Sequence, residues 1–278
     1  MAIKVVTDSG SDLPGALLQE LNISTVPVYI YFGEKGYRDG IDIGPDELYE
    51  RLINGPVHPT TTQPMPVDFA NLYQELAKDY DHIISLHLSS KVSGTVNSAL
   101  QGREMAGVKA RIEVIDSASV SMGLGLLTLA AARMVKAGAD FDDVVTESEK
   151  MVGKIKLYGV LDTLKYLLAG GRITKARATL GTILKVKPLL TMKNGEIIQF
   201  GMERNYARGV TRLRDLVRDC GEIDEMAIVQ STVPEKAAEL KRMIVGFLPE
   251  ERIVMARLGS GLGVHGGPGT LIVTIRST

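Results

Sequence analysis

Apolar and polar positions alternate so as to divide the chain into short β-branched runs and longer stretches with helical spacing. Residues 3–7 (IKVVT) read as a buried strand ending in Asp8-Ser9-Gly10-Ser11-Asp12, a turn rich in helix-capping residues. Residues 13–21 follow as an amphipathic helix with Pro14 in its first turn, where a missing N–H is harmless. The pattern then predicts a strand over 24–32 (STVPVYIYF), a turn over 33–40 and a helix over 45–53. The stretch 55–66 (GPVHPTTTQPMP) holds four prolines and three consecutive threonines, and reads as an ordered loop because proline blocks regular ladders. A helix over 67–79, a strand over 81–88, a helix over 95–105 and a strand over 110–116 continue the alternation. The most apolar stretch, 122–135, reads as a buried helix, and Gly138-Ala139-Asp140 opens an acidic one over 141–151. Strand and helix alternating in this way predict a largely parallel sheet flanked by helices.

The second half has a different rhythm. A strand over 156–160 precedes a helix over 162–168 closed by Gly170-Gly171, and a further helix is predicted over 179–184. Strands over 187–191 and 196–200 flank Asn194-Gly195, the strongest hairpin signal in the chain. A basic helix over 206–220, a strand over 225–230, a helix over 235–245 and strands over 252–258 and 270–276 complete it. The glycine-rich stretch 259–269 (GSGLGVHGGPG) reads as a loop. The expected fold class is therefore α/β with two domains. Residues 1–150 form a largely parallel sheet flanked by helices, and residues 151–278 an α+β domain.

One stretch stands out chemically. After the strand over 81–88, Ser89, Ser90, Ser93 and Thr95 place four hydroxyls in seven residues around Gly94, at the start of a helix. A helix start presents unpaired N–H groups and a positive dipole end, which suits an anion. The competing reading is that Ser93 simply caps the helix.

Composition narrows the choice. The length of 278 residues allows a sizeable core. Aromatic residues are 5% and Trp is absent, so the interior is mostly aliphatic, which is usual for a plain core and also suits the lining of a cavity for an aliphatic ligand. Cys220 is the one cysteine, which excludes an internal disulfide or cysteine metal site and fits a reducing cytoplasm. The N-terminus lacks a signal peptide's apolar region, and 122–135 is too short to span a bilayer and contains Arg133. The net charge of −1 hides a basic segment, 163–218, with twelve Lys/Arg against three Asp/Glu. Such a block faces nucleic acid, phosphate, an acidic protein or solvent.

The standard motifs are missing. Gly261, Gly263 and Gly266 satisfy G-x-G-x-x-G, but Pro268 and a strand follow where a dinucleotide fold requires a helix. There is no Walker A sequence and no G-x-S-x-G elbow. His58, His82, His87 and His265 lack metal-ligand spacing. His265 is set among glycines, which allow close approach of a ligand. Thr60-Thr61-Thr62-Gln63-Pro64 is a second hydroxyl cluster, and Gly170-Gly171-Arg172 reads as a helix end.

In order, these segments resemble the DegV family of bacterial fatty-acid-binding proteins, which includes the lipid-carrying subunit of fatty acid kinase. The resemblance runs through Val6-Thr7-Asp8-Ser9, Val26-Pro27-Val28, Tyr37-Arg38-Asp39-Gly40 and Thr61-Thr62-Gln63-Pro64, where the family usually has Thr-Ser-Gln-Pro. It is sharpest at Leu88-Ser89-Ser90, Ser93-Gly94-Thr95 and Asn97-Ser98-Ala99. It continues through Asp116-Ser117, Gly170-Gly171-Arg172-Ile173, Lys187-Pro188 and His265-Gly266-Gly267-Pro268-Gly269.

The resemblance implies a non-catalytic carrier with a long-chain fatty acid as ligand and no cofactor. It implies a carboxylate held by the hydroxyls of Thr61 and Ser93, with Thr62, Gly94 and His265 close by. It further implies presentation of the acyl chain to an ATP-dependent kinase subunit through Arg172 and Arg204, in a cytoplasmic protein with transient membrane contact and no nucleic-acid partner. Around Arg204 the run Glu203-Arg204-Asn205-Tyr206-Ala207-Arg208 is less basic than the family's usual one. Two alternatives stand beside this reading. One is a hydrolase using Ser93, His265 and Asp116, and the other a nucleic-acid-binding regulator using the basic segment.

Overall fold

A computed structural model describes residues 2–173 and 186–278. The first half runs β1 (Ile3–Asp8), α1 (Gly15–Glu20), β2 (Ile23–Val26), β3 (Tyr29–Phe32), β4 (Lys35–Arg38), α2 (Pro45–Asn54), β5 (Thr60–Thr62), α3 (Pro66–Leu76), β6 (His82–His87), α4 (Thr95–Ala106), β7 (Arg111–Asp116), α5 (Met122–Lys136) and α6 (Phe141–Val152). The second runs β8 (Ile155–Val160), α7 (Lys165–Ala169), β9 (Lys187–Lys193), β10 (Glu196–Glu203), α8 (Tyr206–Arg218), β11 (Ile223–Gln230), α9 (Pro234–Ile244), β12 (Ile253–Arg257), α10 (Ser260–Gly266) and β13 (Leu271–Ser277). The helix expected over 179–184 lies outside the described residues.

The fold is α/β, built on three sheets. Strands β2-β1-β6-β7 form a parallel sheet, as the alternation in the first half predicts. Strands β10-β9-β8-β13-β11-β12 form a mixed sheet in which β11 and β12 are the parallel pair. A small antiparallel sheet, β4-β3-β5, belongs to neither.

That small sheet carries most departures from the sequence pattern. The single strand expected over 24–32 breaks at Pro27, which has no N–H to donate. The next N–H, of Val28, bonds the Ser9 hydroxyl at 3.1 Å, and β3 leaves for the small sheet. The expected turn over 33–40 contains β4. The proline-rich loop contains β5, because its three β-branched threonines pair with β3 in the register Ile30↔Thr61 and the prolines stay outside the strand. The glycine-rich stretch after β12 is not a loop either, since Ser260–Gly266 is helical. Its glycines hide the periodicity yet allow tight docking: a Cβ on Gly263 would stand 2.7 Å from the Leu48 side chain.

The core is organised by α5, whose residues from Met122 to Ala132 are all buried. A helix apolar all round must be covered on every side. The parallel sheet covers one side through β1 and β6, and the mixed sheet the other through β8, β11 and β13. One apolar cluster joins Val5, Ile84 and Leu127 to Leu157, Val229 and Ile272. The boundary expected between residues 150 and 151 lies in the last turn of α6, just before the chain changes sheets at β8, and the apolar cluster around α5 takes in residues from both sides of it. Where α5 emerges, Arg133 pairs with the buried Glu225 at 2.7 Å, and Glu225 also meets Arg276.

Because the two large sheets share α5, heat should unfold them together. Leu127→Ala, at a fully buried position, should cost about 2–5 kcal/mol and lower a single calorimetric transition. Two transitions, only one of them shifted, would contradict a shared core.

Candidate functional site

In open α/β sheets, ligands bind beyond the carboxyl ends of the strands where the strand order reverses. Here β1 connects to β2 on one side while β6 lies on the other, so the reversal falls between β1 and β6. The loops leaving those two ends carry Asp8–Asp12 and Leu88–Gly94.

Asp8 ties the two loops together. It is fully buried and accepts hydrogen bonds from the N–H groups of Gly10 and Leu88, each at 3.0 Å. Its third partner is His87 Nδ1, at 3.0 Å. His87 Nε2 lies 2.7 Å from Ser85 Oγ, which lies 2.8 Å from the Tyr73 hydroxyl. One proton direction satisfies the row: Tyr73 donates to Ser85, Ser85 to Nε2, and Nδ1 to Asp8. The connectivity of Ser85, His87 and Asp8 is that of a hydrolase triad. All four side chains are sealed from solvent, and none lines the cavity described next, so the row braces the two loops and has no access to a substrate.

Above this brace lies a cavity of about 540 Å³, counting the part open to solvent. Its polar wall brings together Thr61, Thr62, Gln63, Ser93, Arg172 and His265. Thr61 comes from β5, His265 from α10 and Ser93 from the loop before α4. Thr60 and Thr62 are exposed whereas Thr61 is half-buried, as strand alternation requires. Thr61 Oγ1 lies 2.7 Å from His265 Nε2. Ser93 Oγ lies 2.8 Å from Thr95 Oγ1. The reading of Ser93 as a helix cap is corrected, because the N-cap of α4 is Gly94 and no side chain caps it. Gly94 sits against Gln63, whose amide nitrogen is 2.9 Å from where a Cβ would be.

His265 is 8% exposed. Burial pushes its pKa from 6.5 down to about 4, and the nearby positive charges of Arg172 and His58 push the same way. It is therefore uncharged at neutral pH. Its Nδ1 has no hydrogen-bond partner among the described residues and faces Gly170, where a Cβ would stand 2.1 Å away. A bare lone pair is tolerated in such a place better than an N–H, so the proton belongs on Nε2 and is donated to Thr61. Thr61 then has its own hydroxyl proton free for a ligand.

Arg172 is half-buried rather than fully exposed. It lines the mouth, donates to the Gly170 carbonyl at 2.6 Å, and shares a shallow recess with Lys91 and Glu196. Arg204 is exposed in the turn between β10 and α8, and does not line the cavity. The other hydroxyls of the serine-rich turn have different uses. Ser89 Oγ donates to the Gly195 carbonyl at 2.7 Å, docking the predicted hairpin on the loop. Asn194 and Gly195 there have φ of 51° and 79°, as a primed turn requires.

Behind the polar wall, a second compartment, about 520 Å³ when the part open to solvent is counted, shares Val120, Ile197, Leu262 and His265 with the first. Leu157, Leu161, Leu167, Leu190, Met192 and Ile272 line it. Beyond the low aromatic content, nothing in the sequence marks these residues, which come from separate strands and loops. The two compartments together form a polar mouth with an aliphatic interior, suited to an amphiphile with an anionic head group.

The alternatives lose ground in this geometry. Asp116 accepts from the N–H groups of Ser90 and Ala118, and His265 Nε2 faces Thr61, so Ser93, His265 and Asp116 do not assemble into a triad. In the basic segment, Lys187, Arg208, Arg214 and Arg218 pair with carboxylates. Among the described residues no helix is long and apolar enough to cross a membrane, and no acidic or His/Cys cluster is placed to hold a metal.

Comparison with known proteins agrees with this architecture. The family described as uncharacterised proteins of the DegV family matches residues 2–278. A DegV domain-containing protein from Caldanaerobacter subterraneus subsp. tengcongensis is 37% identical over 270 residues, covering 96% of this chain and 95% of that one. The solved structure of a DegV family protein from Thermus thermophilus, described for its fatty acid binding, superposes with a TM-score of 0.92 at 34% identity over the full length of both chains. That of DegV from Bacillus subtilis, described as a fatty acid binding protein, gives 0.88 at 31% identity, again over both full lengths.

The position of His265 sets a pH dependence. As pH falls from 6.5 towards 4, the unfolded chain takes up this proton before the folded one does, so the stability present above 6.5 declines. Urea unfolding across this range should show the decline, and His265→Gln should flatten it. An NMR titration of the imidazole with a midpoint near 6.5 would contradict the buried, uncharged assignment.

Proposed function

Because the chain belongs to the DegV family, we propose that it binds a long-chain fatty acid and presents the carboxylate to an ATP-dependent kinase partner. The observation that carries this reading is the Thr61–His265 pair at the mouth of an aliphatic compartment. Two hydroxyls with free protons point the site towards a carboxylate. Thr61 is supplied by His265 in the way just described. Ser93 Oγ lies 2.8 Å from Oγ1 of the fully buried Thr95, and when Thr95 is the donor of that bond the Ser93 proton is free in the same manner. Charge-assisted bonds from Thr61 and Ser93 offset the desolvation of the head group without a buried cation against it. Thr62 completes the rim, and Gly94 packs against Gln63 of that rim without lining the cavity itself.

The acyl chain supplies the affinity. Burial contributes about 0.8 kcal/mol per CH₂, on the order of 12 kcal/mol gross for sixteen carbons, much of it offset by lost freedom. A hydroxyl-held carboxylate keeps its nucleophilic oxygens and can attack the terminal phosphorus of ATP bound by a partner, giving an acyl phosphate and ADP. Among the described residues no base or nucleophile is arranged to do chemistry on the lipid, and we assign the chain the role of carrier. Arg172 at the mouth, and Arg204 on the outer surface, belong to the partner face, because a planar guanidinium suits phosphate and carboxylate contacts. The protein works in the cytoplasm, exchanging its lipid by transient contact with a membrane surface.

Native mass spectrometry of the purified protein should show an adduct of fatty-acid mass, and a lipid-free protein that also ignores added fatty acid would refute the reading. Thr61→Ala and Ser93→Ala should each weaken binding by about 1.5–3 kcal/mol, or roughly ten- to a hundredfold. Unchanged affinity in both would move the head-group site elsewhere.

Arg204→Ala, away from the cavity, should leave lipid binding intact and lower acyl-phosphate formation in a reconstituted kinase assay, and Arg172→Ala, at the mouth, should lower that formation by more than it lowers lipid binding. Loss of lipid with normal turnover of what remains would reverse the assigned roles.

A further inference from the structure

The helix that carries His265 has little reason to form on its own. It is seven residues long, and three of them, Gly261, Gly263 and Gly266, are glycine, the poorest helix former after proline. A segment this short does not nucleate in isolation, so its neighbours decide where it lies. Its flanks are set by close packing: a Cβ on Gly261 would stand 2.3 Å from Val28. Its start is set by two carboxylates from the other half of the chain. Asp12 Oδ1 accepts the Gly259 N–H at 2.8 Å, and Asp39 Oδ1 accepts the Ser260 N–H at 3.1 Å. Both are nearly sealed, at 8% and 5% exposure.

Asp12 does more than receive this N–H. Its second oxygen accepts from Ser121 Oγ, and Ser121 lines the aliphatic compartment immediately before α5. Asp12 itself holds a left-handed backbone, φ 53°. One carboxyl therefore joins the loop after β1, the start of α5 and the start of α10. Neither Asp12 nor Asp39 lines either lipid compartment.

We propose that Asp12 and Asp39 are the positioning residues of the head-group site: by holding the first N–H groups of α10 they place His265 Nε2 on Thr61, and through Ser121 Asp12 also fixes the adjoining compartment wall. Burial raises the pKa of both carboxyls, that of Asp12 to about 8, with Asp8 and Asp39 adding negative charge around Asp12. What each offers α10 is an oxygen that accepts a backbone N–H, and an asparagine at either place keeps one such oxygen. The effect on ligand affinity rests on the fatty-acid reading above, whereas the placement of His265 does not.

The test uses the full chain with Asp12→Ala, Asp39→Ala, Asp12→Asn and Asp39→Asn, with palmitate as probe. Thermal unfolding establishes which variants are folded. Imidazole ¹⁵N NMR of His265 reads tautomer and hydrogen bonding without ligand, and titration gives the palmitate Kd. In folded alanine variants the His265 Nε2–H signature should be lost and palmitate affinity should fall at least tenfold. The asparagine variants should restore both. Folded alanine variants with an unchanged His265 signature overturn the proposal. So do folded asparagine variants in which His265 is displaced, a result that decides the matter even where an alanine variant fails to fold. If the wild-type chain ignores palmitate, the fatty-acid reading falls and the NMR comparison still judges the positioning.

Discussion

Helix α5 has no polar face, and much of the molecule follows from the need to cover it. A parallel sheet alone would leave one side in water, so the mixed sheet from the second half closes over the other. Covering α5 from both sides brings the turn at Val120 and Ser121 against residues of both halves. Val120 then lines both the polar-walled cavity and the aliphatic compartment behind it. The aliphatic compartment is in this sense a continuation of the core, lying between the start of α5 and the mixed sheet.

Two histidines in this fold show how access decides the use of similar chemistry. His87 lies between Ser85 and Asp8 in a row whose protons are all spent internally, and it binds two loops together. Among the described residues His265 has one partner, Thr61, and its other nitrogen has none. The first arrangement resembles a catalytic triad and is closed to solvent. The second resembles no catalytic motif, yet it leaves a hydroxyl proton facing a cavity. The residue types alone do not separate them, because the difference lies in what covers each side chain.

Glycine recurs wherever backbone or side chain must come close at the site. Gly170 leaves room for the His265 ring, and Gly195 for the Ser89 hydroxyl that docks the hairpin. A Cβ at either place would stand at 2.1 Å or 2.7 Å from that neighbour, so both sites depend on a missing side chain rather than a present one. Such positions carry no periodic signal.

By itself the sequence determined the features that depend on neighbours along the chain. The alternating pattern specified the parallel order of the first half, the apolar run specified α5 as buried, and Asn194-Gly195 specified the hairpin, each because period or turn chemistry is local. The ordered motifs also singled out Thr61, Ser93 and His265, which do line one cavity. Only the tertiary structure decided that the threonine run is a strand, that GSGLGVHG is a helix, and that Pro27 sends the chain into a third sheet. In each case pairing or packing from distant residues outweighed weak local propensity. It also decided that His87 and Asp8 are sealed while His265 faces a cavity, that Asp12 and Asp39 reach the start of α10, and that leucines scattered from 157 to 190 share one compartment. Burial and contact are properties of segments brought together across more than two hundred residues, and no local pattern encodes them.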